Sequence, residues 1–404
     1  MSRSQTFVIV GGGLAGAKTA EALRAKDFDG HVILFAAEEH LPYERPPLSK
    51  EFLAGKKTLS DFTVDQSAWF RDHNIDLRLG TTVSAVDPAA HTVTLPDDNT
   101  VHYDKLLLAT GSRPRQPSFP GADDPGVHYL RTVDDARALD SALRDGDTLA
   151  VVGAGWIGLE VAANARQRDV EVTVMETASL PLLTALGPEV AEVFAELHRG
   201  HGVDLRLNTQ VSAVNSSGVT LADKTQVPAD AVLVAVGATP NTDLARQAGL
   251  TLAGGGVAVD AALQTSNADI FAVGDIAAAE HPVFNTRIRT EHWANALKQP
   301  AVAAVGMLGG TASYDELPYF FTDQYDLGME YVGHAADYRR VVFRGSVDDL
   351  EFTAFWLTAD NRVLAGMNVN IWDGLDDIKA IIRAGSTVDV DTLTDPGVKL
   401  GELR

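Results

Sequence analysis

The residues best able to do chemistry in this 404-residue sequence are two sets of glycines. One set is spaced along Gly11-Gly12-Gly13-Leu14-Ala15-Gly16, the other along Gly153-Ala154-Gly155-Trp156-Ile157-Gly158. At this spacing the first glycine permits a tight turn and the second lets the backbone come close to a pyrophosphate. The third lets a helix and a strand pack closely. The helix that starts there offers free N–H groups and the positive end of its dipole to the anion. One such turn is a weak signal. Two copies, each between an apolar strand and a helix-like run, point to two dinucleotide sites.

The elements that must hold these turns are legible. Phe7-Val8-Ile9-Val10 leads into the first turn, a helix is expected over 17–25, and a second strand over 31–35. Leu149-Ala150-Val151-Val152 leads into the second, with a helix expected over 159–168 and a strand over 170–175. Each set reads as β–α–β. A further apolar strand follows each: Lys105 to Leu108 ending in Ala109-Thr110-Gly111, and Ala231 to Val236 ending in Gly237 and Ala238-Thr239-Pro240-Asn241. Both endings read as crossings between nested domains in an α/β protein. A first nucleotide domain is expected over 1–111 with 242–318, and a second, inserted one over 112–241. From 319 the composition changes. Aromatics cluster at Tyr319-Phe320-Phe321, and alternation at 340–344 and 350–357 predicts antiparallel strands. An amphipathic run over 376–384 completes a C-terminal α+β domain over 319–404.

The residue after the second strand of such a unit holds an adenosine ribose when acidic, and a basic one favours a 2′-phosphate. That residue is Glu176 in the second unit, which favours NADH; Arg166 and Arg168, just before the strand, leave NADPH open. In the first unit Ala36-Ala37 fill the place, with Glu38 and Glu39 after them. The ribose carboxylate there is shifted or absent, and backbone contacts at Ala37 would take over part of its work.

The charge is −22, from 33 basic and 55 acidic residues. Such a balance argues against nucleic-acid or anionic-membrane binding, and an acidic partner would need a local basic patch. No apolar stretch reaches the roughly 18–20 residues that span a bilayer. Residues 1–5 run straight into a buried strand, so no signal peptide is expected and the protein is expected in the cytoplasm. Cysteine is absent. That excludes disulfides, thiolate metal sites, cysteine-ligated clusters and a redox-active cysteine pair within the chain; no metal ligands are assigned.

The run Leu41-Pro42-Tyr43-Glu44-Arg45-Pro46-Pro47-Leu48-Ser49-Lys50 resembles the signature of the FAD-dependent NADH:ferredoxin reductases that serve oxygenases, the putidaredoxin reductase and biphenyl dioxygenase reductase type. Tyr129-Leu130-Arg131-Thr132, Ile157-Gly158-Leu159-Glu160, Phe271-Ala272-Val273-Gly274-Asp275 and Asp323-Gln324-Tyr325 extend the resemblance over nearly the whole chain. It implies a glutathione-reductase-like fold with two Rossmann-like (ββα-type) domains and a C-terminal domain. Lys50 and Arg45 would reach the flavin from a backbone stiffened by the Pro-Pro pair, and a cation there would stabilise the anionic reduced ring. Asp275, placed by Gly274, would bind the ribityl chain, and Val83 and Arg131 match further FAD contacts. The turn 109–111 and Glu291, His292 and Trp293 complete the FAD side. Glu160 would face the nicotinamide and orient its carboxamide, with Ile157 packed near the nicotinamide–flavin contact and Gly237 and Pro240 shaping the path between the sites. Phe321 falls where the family often has a tryptophan near the flavin; it can cover the ring but has no indole N–H.

The resemblance implies hydride transfer from NADH to FAD, then single electrons to a [2Fe-2S] ferredoxin feeding a cytochrome P450 or Rieske oxygenase. Without cysteine, the acceptor must lie outside the chain. Arg287, Arg289, Lys298, Arg339, Arg340, Arg344, Lys379 and Arg383 are candidates for the docking face, and Trp372 for the interface or the flavin side. A monomer or weak homodimer is expected. Two other functions use the same sites: an NADH oxidase or quinone reductase, and a redox-dependent signalling flavoprotein like apoptosis-inducing factor.

Overall fold

The computed structural model describes residues 4–403; residues 1–3, which begin the segment expected to carry no signal peptide, and Arg404 lie outside the described residues. The chain divides into two compact units. The first takes residues 4–44, Leu59–Arg113 and Thr239–Pro318; the second takes Arg45–Thr58, Pro114–Ala238 and residues 319–403.

The first unit is built on a five-stranded parallel sheet in the order Ile270–Ala272, Lys105–Leu108, Thr6–Val10, His31–Phe35, Ile75–Arg78. Phe7, Leu34, Leu106 and Phe271 are buried on it, as continuous apolar runs in a sheet covered on both faces require. The helix Leu14–Arg24 starts directly after Gly13, three residues before the expected start. The reason is Gly16: it lies inside the first helical turn, where a Cβ would stand 2.0 Å from the Gly11 carbonyl oxygen and 3.2 Å from Leu34. Helix Trp293–Met307 packs along that first helix.

The second unit repeats the sheet as Asp204–Arg206, Glu171–Met175, Thr148–Val152, Ala231–Val234, Val127–His128, again parallel. Its glycine-turn helix, Trp156–Arg166, likewise starts three residues early because Gly158 sits in the first turn, with its Cβ position 2.3 Å from the Gly153 carbonyl oxygen. The tail forms a five-stranded antiparallel sheet in the order Tyr319–Gln324, Leu327–Gly333, Val363–Val369, Glu351–Leu357, Arg340–Ser346. The last two are the strands expected from alternation, and the amphipathic run is helix Leu375–Ala384, whose Ile378 packs over Gly366.

An aromatic seam binds this sheet to the rest of the unit. Trp156 packs edge-on against Phe194 and 4.9 Å from Phe320, which stacks on Tyr331. Tyr331 meets the fully buried Trp356, whose indole N–H donates to the Leu186 carbonyl at 2.9 Å. Arg344 ties down the end of the tail, because its guanidinium donates to the carbonyls of Leu393, Asp395, Pro396 and Val398. Among the described residues no helix is long and apolar enough to cross a membrane, and no group of three His, Cys, Asp or Glu is arranged to hold a metal.

Candidate functional site

In the first unit the glycine turn closes on itself before it offers anything outward. Gly11 has φ +124°, and a Cβ there would lie 2.1 Å from the Ala109 carbonyl oxygen. A Cβ on Gly12 would lie 2.2 Å from the Ala36 Cβ, so the turn packs closely on the residue after strand His31–Phe35, which is a small alanine, and the ribose carboxylate is absent from that position. Glu38 is held by the Tyr43 hydroxyl at 2.5 Å. Gly13 differs from its neighbours: its backbone is extended, and a Cβ would meet nothing within 4 Å. It opens a helix with no side-chain cap and no acid in its first turn.

Around this turn the structure places Leu14 and Ala15 buried, with Gly274 at φ +74° directly against Ala15. That contact sets the buried Asp275 beside the helix start; the Gly274 N–H donates to Gln299 at 2.7 Å. Thr110 and Asn241 bond each other twice, fixing the turn that ends in Gly111. Val83 is buried and Ala37 exposed. Trp293 donates its indole N–H to Glu44 at 3.1 Å, next to His292, which precedes the helix, and Glu291 pairs with Arg289.

The second unit repeats the cradle. Gly153 has φ +104° and a Cβ position 2.5 Å from the Ala235 carbonyl oxygen, whereas Gly155 is extended and meets nothing within 4 Å. Its helix is also uncapped and free of acid in the first turn. The middle glycine of each turn is therefore required by nothing in the fold, and the space its Cβ would fill suits a pyrophosphate. Glu176 accepts from the backbone N–H groups of Ala154 and Ala178 at 2.8 and 2.9 Å, anchoring a carboxylate beside the second cradle. Ile157, on the exposed face of the first turn, keeps 42% of its surface open without a packing reason. Gly237 lies by the Arg115 guanidinium and accepts that residue's N–H.

Lys50 and Glu160 meet in this same unit, with Nζ 2.9 Å from Oε1 and little exposure of either. The turn Pro46–Ser49 and its prolines aim Lys50; Asn164, one helical turn beyond Glu160, fixes the Lys50 carbonyl at 2.9 Å. Arg45 donates to the Arg131 carbonyl, and Arg131 leads into a helix closed by the Thr132–Asp135 capping box. Two further donors reach Glu160: Ser49 at 2.5 Å to Oε2 and Thr322 at 2.6 Å to Oε1. Sequence patterns alone do not single these out. Thr322 and Gln324 carry what signal there is, since they alternate on the inner face of strand Tyr319–Gln324. A carboxylate offers about four acceptor positions; three are taken here, and one remains. Phe321 lies with its ring 5.3 Å from the Lys50 ammonium, a cation–π distance.

A cavity of about 180 Å³ reaches this pair, lined by Lys50, Glu51, Glu160, Asn164, Asp323 and Tyr325 among others. Burial pushes the Asp323 carboxyl up; Lys50 opposes the shift, and the Glu160 and Glu51 charges add to it. Close by, His198 is fully buried, and burial pushes its imidazole down to about 4 from 6.5. Its bond to Gln324 works against that shift, and His201 works with it. The folded state thus binds fewer protons than the unfolded one between those values. Stability from neutral His198 is complete above pH 6.5 and is lost as pH falls from about 6.5 to about 4, a total of about 3 kcal/mol. Urea unfolding across that window should show His198→Gln losing less stability than the parent by about this amount.

The pyridine nucleotide-disulphide oxidoreductase model matches residues 5–300, and the reductase C-terminal model matches residues 319–404. The chain is 42% identical to the anthranilate 1,2-dioxygenase system ferredoxin–NAD(+) reductase component of Burkholderia cepacia, over 98% of each chain. It is 37% identical to putidaredoxin reductase of Pseudomonas putida, over 100% of this chain and 97% of that one. It superposes on the reductase in the covalent putidaredoxin reductase–putidaredoxin complex with a TM-score of 0.95 at 36% identity, over 99% and 98% of the two chains. With two glycine cradles on parallel sheets and a C-terminal antiparallel sheet, the chain belongs to the pyridine nucleotide-disulphide oxidoreductase family, among its ferredoxin–NAD(+) reductases with a reductase C-terminal domain.

Proposed function

We propose that this protein is an NADH-dependent ferredoxin reductase, holding FAD in the Gly11–Gly16 cradle and taking NADH in the Gly153–Gly158 cradle. The relatives named as ferredoxin–NAD(+) reductase components of oxygenase systems support this function, and a reductase–putidaredoxin complex supports a [2Fe-2S] ferredoxin as partner. The observation that carries it is the paired cradle, each with a middle glycine that only a ligand requires. When bound, FAD takes a hydride from NADH and returns the electrons singly, so a two-electron donor can serve a one-electron acceptor.

The chain's own residues bind, orient and shield. Gly13 and Gly155 leave room for the pyrophosphates, Asp275 meets the ribityl chain, and Glu176 meets the NADH ribose in preference to a 2′-phosphate. Val83, Ala37, the turn 109–111 and residues 291–293 would line the FAD side within the first unit. Glu160 keeps its fourth acceptor position for the nicotinamide carboxamide, while Lys50 supplies positive charge and Phe321 excludes water. The division into a FAD part (1–111 with 242–318), an NAD part (112–241) and a C-terminal part (319–404) belongs to this proposal, as does a cytoplasmic location.

The electrons must leave the chain, because it contains no cysteine to receive them. The acceptor's docking face would use exposed cations. Arg344 is turned to the tail carbonyls and Arg287 to the Val259 and Ala278 carbonyls, whereas Arg339, Arg340 and Arg383 are exposed and Lys379 pairs with the exposed Asp376. Charge reversal at Lys379 and Arg383 is expected to raise the KM for ferredoxin about tenfold and flatten its salt dependence. NADH–ferricyanide turnover should stay unchanged. The function itself is tested by cytochrome c reduction with NADH, with and without candidate ferredoxins: ferredoxin dependence is expected, and its absence across several candidates would refute the assignment.

A further inference from the structure

The second unit contains a buried titratable group that the proposed chemistry does not use. His198 lies in the last turn of helix Pro188–Gly200 with no exposed surface. Its Nε2 is 2.8 Å from Gln324 Oε1, and its Nδ1 is 3.3 Å from the Tyr325 hydroxyl. Gln324 Nε2 is 3.2 Å from Thr322 Oγ1, which is 2.6 Å from Glu160 Oε1. These contacts form one continuous chain.

Its direction follows from one end. An ionised carboxylate only accepts, so the Thr322 hydroxyl donates to Glu160. The Thr322 oxygen must then accept from Gln324, which presents its amide nitrogen there and its carbonyl oxygen to His198. His198 therefore carries its proton on Nε2, and Nδ1 accepts from Tyr325. Every donor points towards Glu160. Burial favours the neutral imidazole that this order requires and raises the Tyr325 hydroxyl, which keeps it a donor.

A second feature of the backbone agrees. Tyr325 has φ +58° at the first position of the two-residue turn between strands Tyr319–Gln324 and Leu327–Gly333. Glycine or asparagine takes such a position with little strain, and a tyrosine there is strained. Its side chain is what the strain secures: the ring stacks on His201 at 3.6 Å and the hydroxyl reaches His198.

We propose that Tyr325, His198, Gln324 and Thr322 form a one-way hydrogen-bond relay that orients the Glu160 carboxylate, which makes His198 a positioning residue for the reaction with NADH. This rests on Glu160 facing the nicotinamide. The relay runs from the last turn of helix Pro188–Gly200 through strand Tyr319–Gln324 to a buried carboxylate that keeps one acceptor position to spare. Without it Glu160 keeps Lys50 on Oε1 and Ser49 on Oε2 but loses the second donor that fixes Oε1.

The test uses the flavin-loaded protein with NADH and NAD+ alone, so that failure of ferredoxin coupling cannot be mistaken for failure of the relay. Nitrogen-15 NMR of the imidazoles should show His198 neutral with its proton on Nε2 at pH 7. Its signal is assigned by loss in His198→Gln or displacement in Thr322→Val. A proton on Nδ1 would overturn the proposal. Gln324→Leu and Thr322→Val should each slow flavin reduction by NADH about tenfold and weaken NAD+ binding several-fold, and Thr322→Ser should restore both. In a Glu160→Gln background the same substitutions should change the rate by less than about twofold. An undiminished effect there would mean that the residues do not act through Glu160.

Discussion

Gly155→Val is expected to leave the protein folded and flavin-loaded while raising the KM for NADH about a hundredfold or more. The backbone at Gly155 is extended, a conformation open to β-branched residues, and its Cβ direction leads into empty space. The valine methyls would fill the volume in which the NADH pyrophosphate meets the uncapped start of helix Trp156–Arg166. Charge-assisted hydrogen bonds of this kind contribute about 1.5–3 kcal/mol each, so losing one or two accounts for an effect of this size. Gly153→Ala should behave in the opposite way. A methyl there would sit 2.5 Å from the Ala235 carbonyl oxygen on a backbone at φ +104°, so the thermal midpoint should fall before any binding effect is seen. Melting curves together with NADH titrations separate the two. Equal destabilisation by both substitutions would mean that the middle glycine serves the fold.

Glu160→Gln is expected to lower kcat/KM for NADH about a hundredfold with ferricyanide as acceptor. The amide keeps the size of the side chain but cannot accept at both ends. Its oxygen would turn to Lys50 and Thr322, leaving its amide group towards Ser49, whose hydroxyl can rotate to accept. The fold should survive, with a loss of about 1–3 kcal/mol because the mostly buried Lys50 ammonium loses its counter-charge. The spare acceptor position disappears with the charge, and with it the group proposed to orient the carboxamide. The rate loss should therefore appear in single-turnover flavin reduction, with the release of electrons to ferricyanide unchanged.

Much of the architecture is legible in the sequence because it is encoded locally. The strands Thr6–Val10, His31–Phe35, Thr148–Val152 and Ala231–Val234 are continuous apolar runs, and the glycine turns between them depend on only a few neighbouring residues. Sequence spacing puts the helix starts three residues late for a physical reason. Gly16 and Gly158 look like turn residues in sequence, but in space they are helical positions that admit no Cβ. The donors to Glu160 are harder to find. Ser49 lies 111 residues and Thr322 162 residues away from it along the chain, and neither sits in a pattern that names its partner. Arg344 reads in the sequence as one more surface cation. Only the folded tail shows four carbonyls using it.

The central claim is that electrons from NADH leave this chain one at a time to an external iron–sulfur protein. The most direct measurement is an anaerobic titration of the flavin-loaded protein with one equivalent of NADH and an excess of oxidised [2Fe-2S] ferredoxin, followed by the visible absorbance of the cluster. The expected result is two ferredoxins reduced for each NADH consumed, at a rate that rises and saturates with ferredoxin concentration. A protein that is reduced by NADH yet leaves cognate ferredoxins oxidised, while passing its electrons to oxygen or a quinone, would contradict the claim.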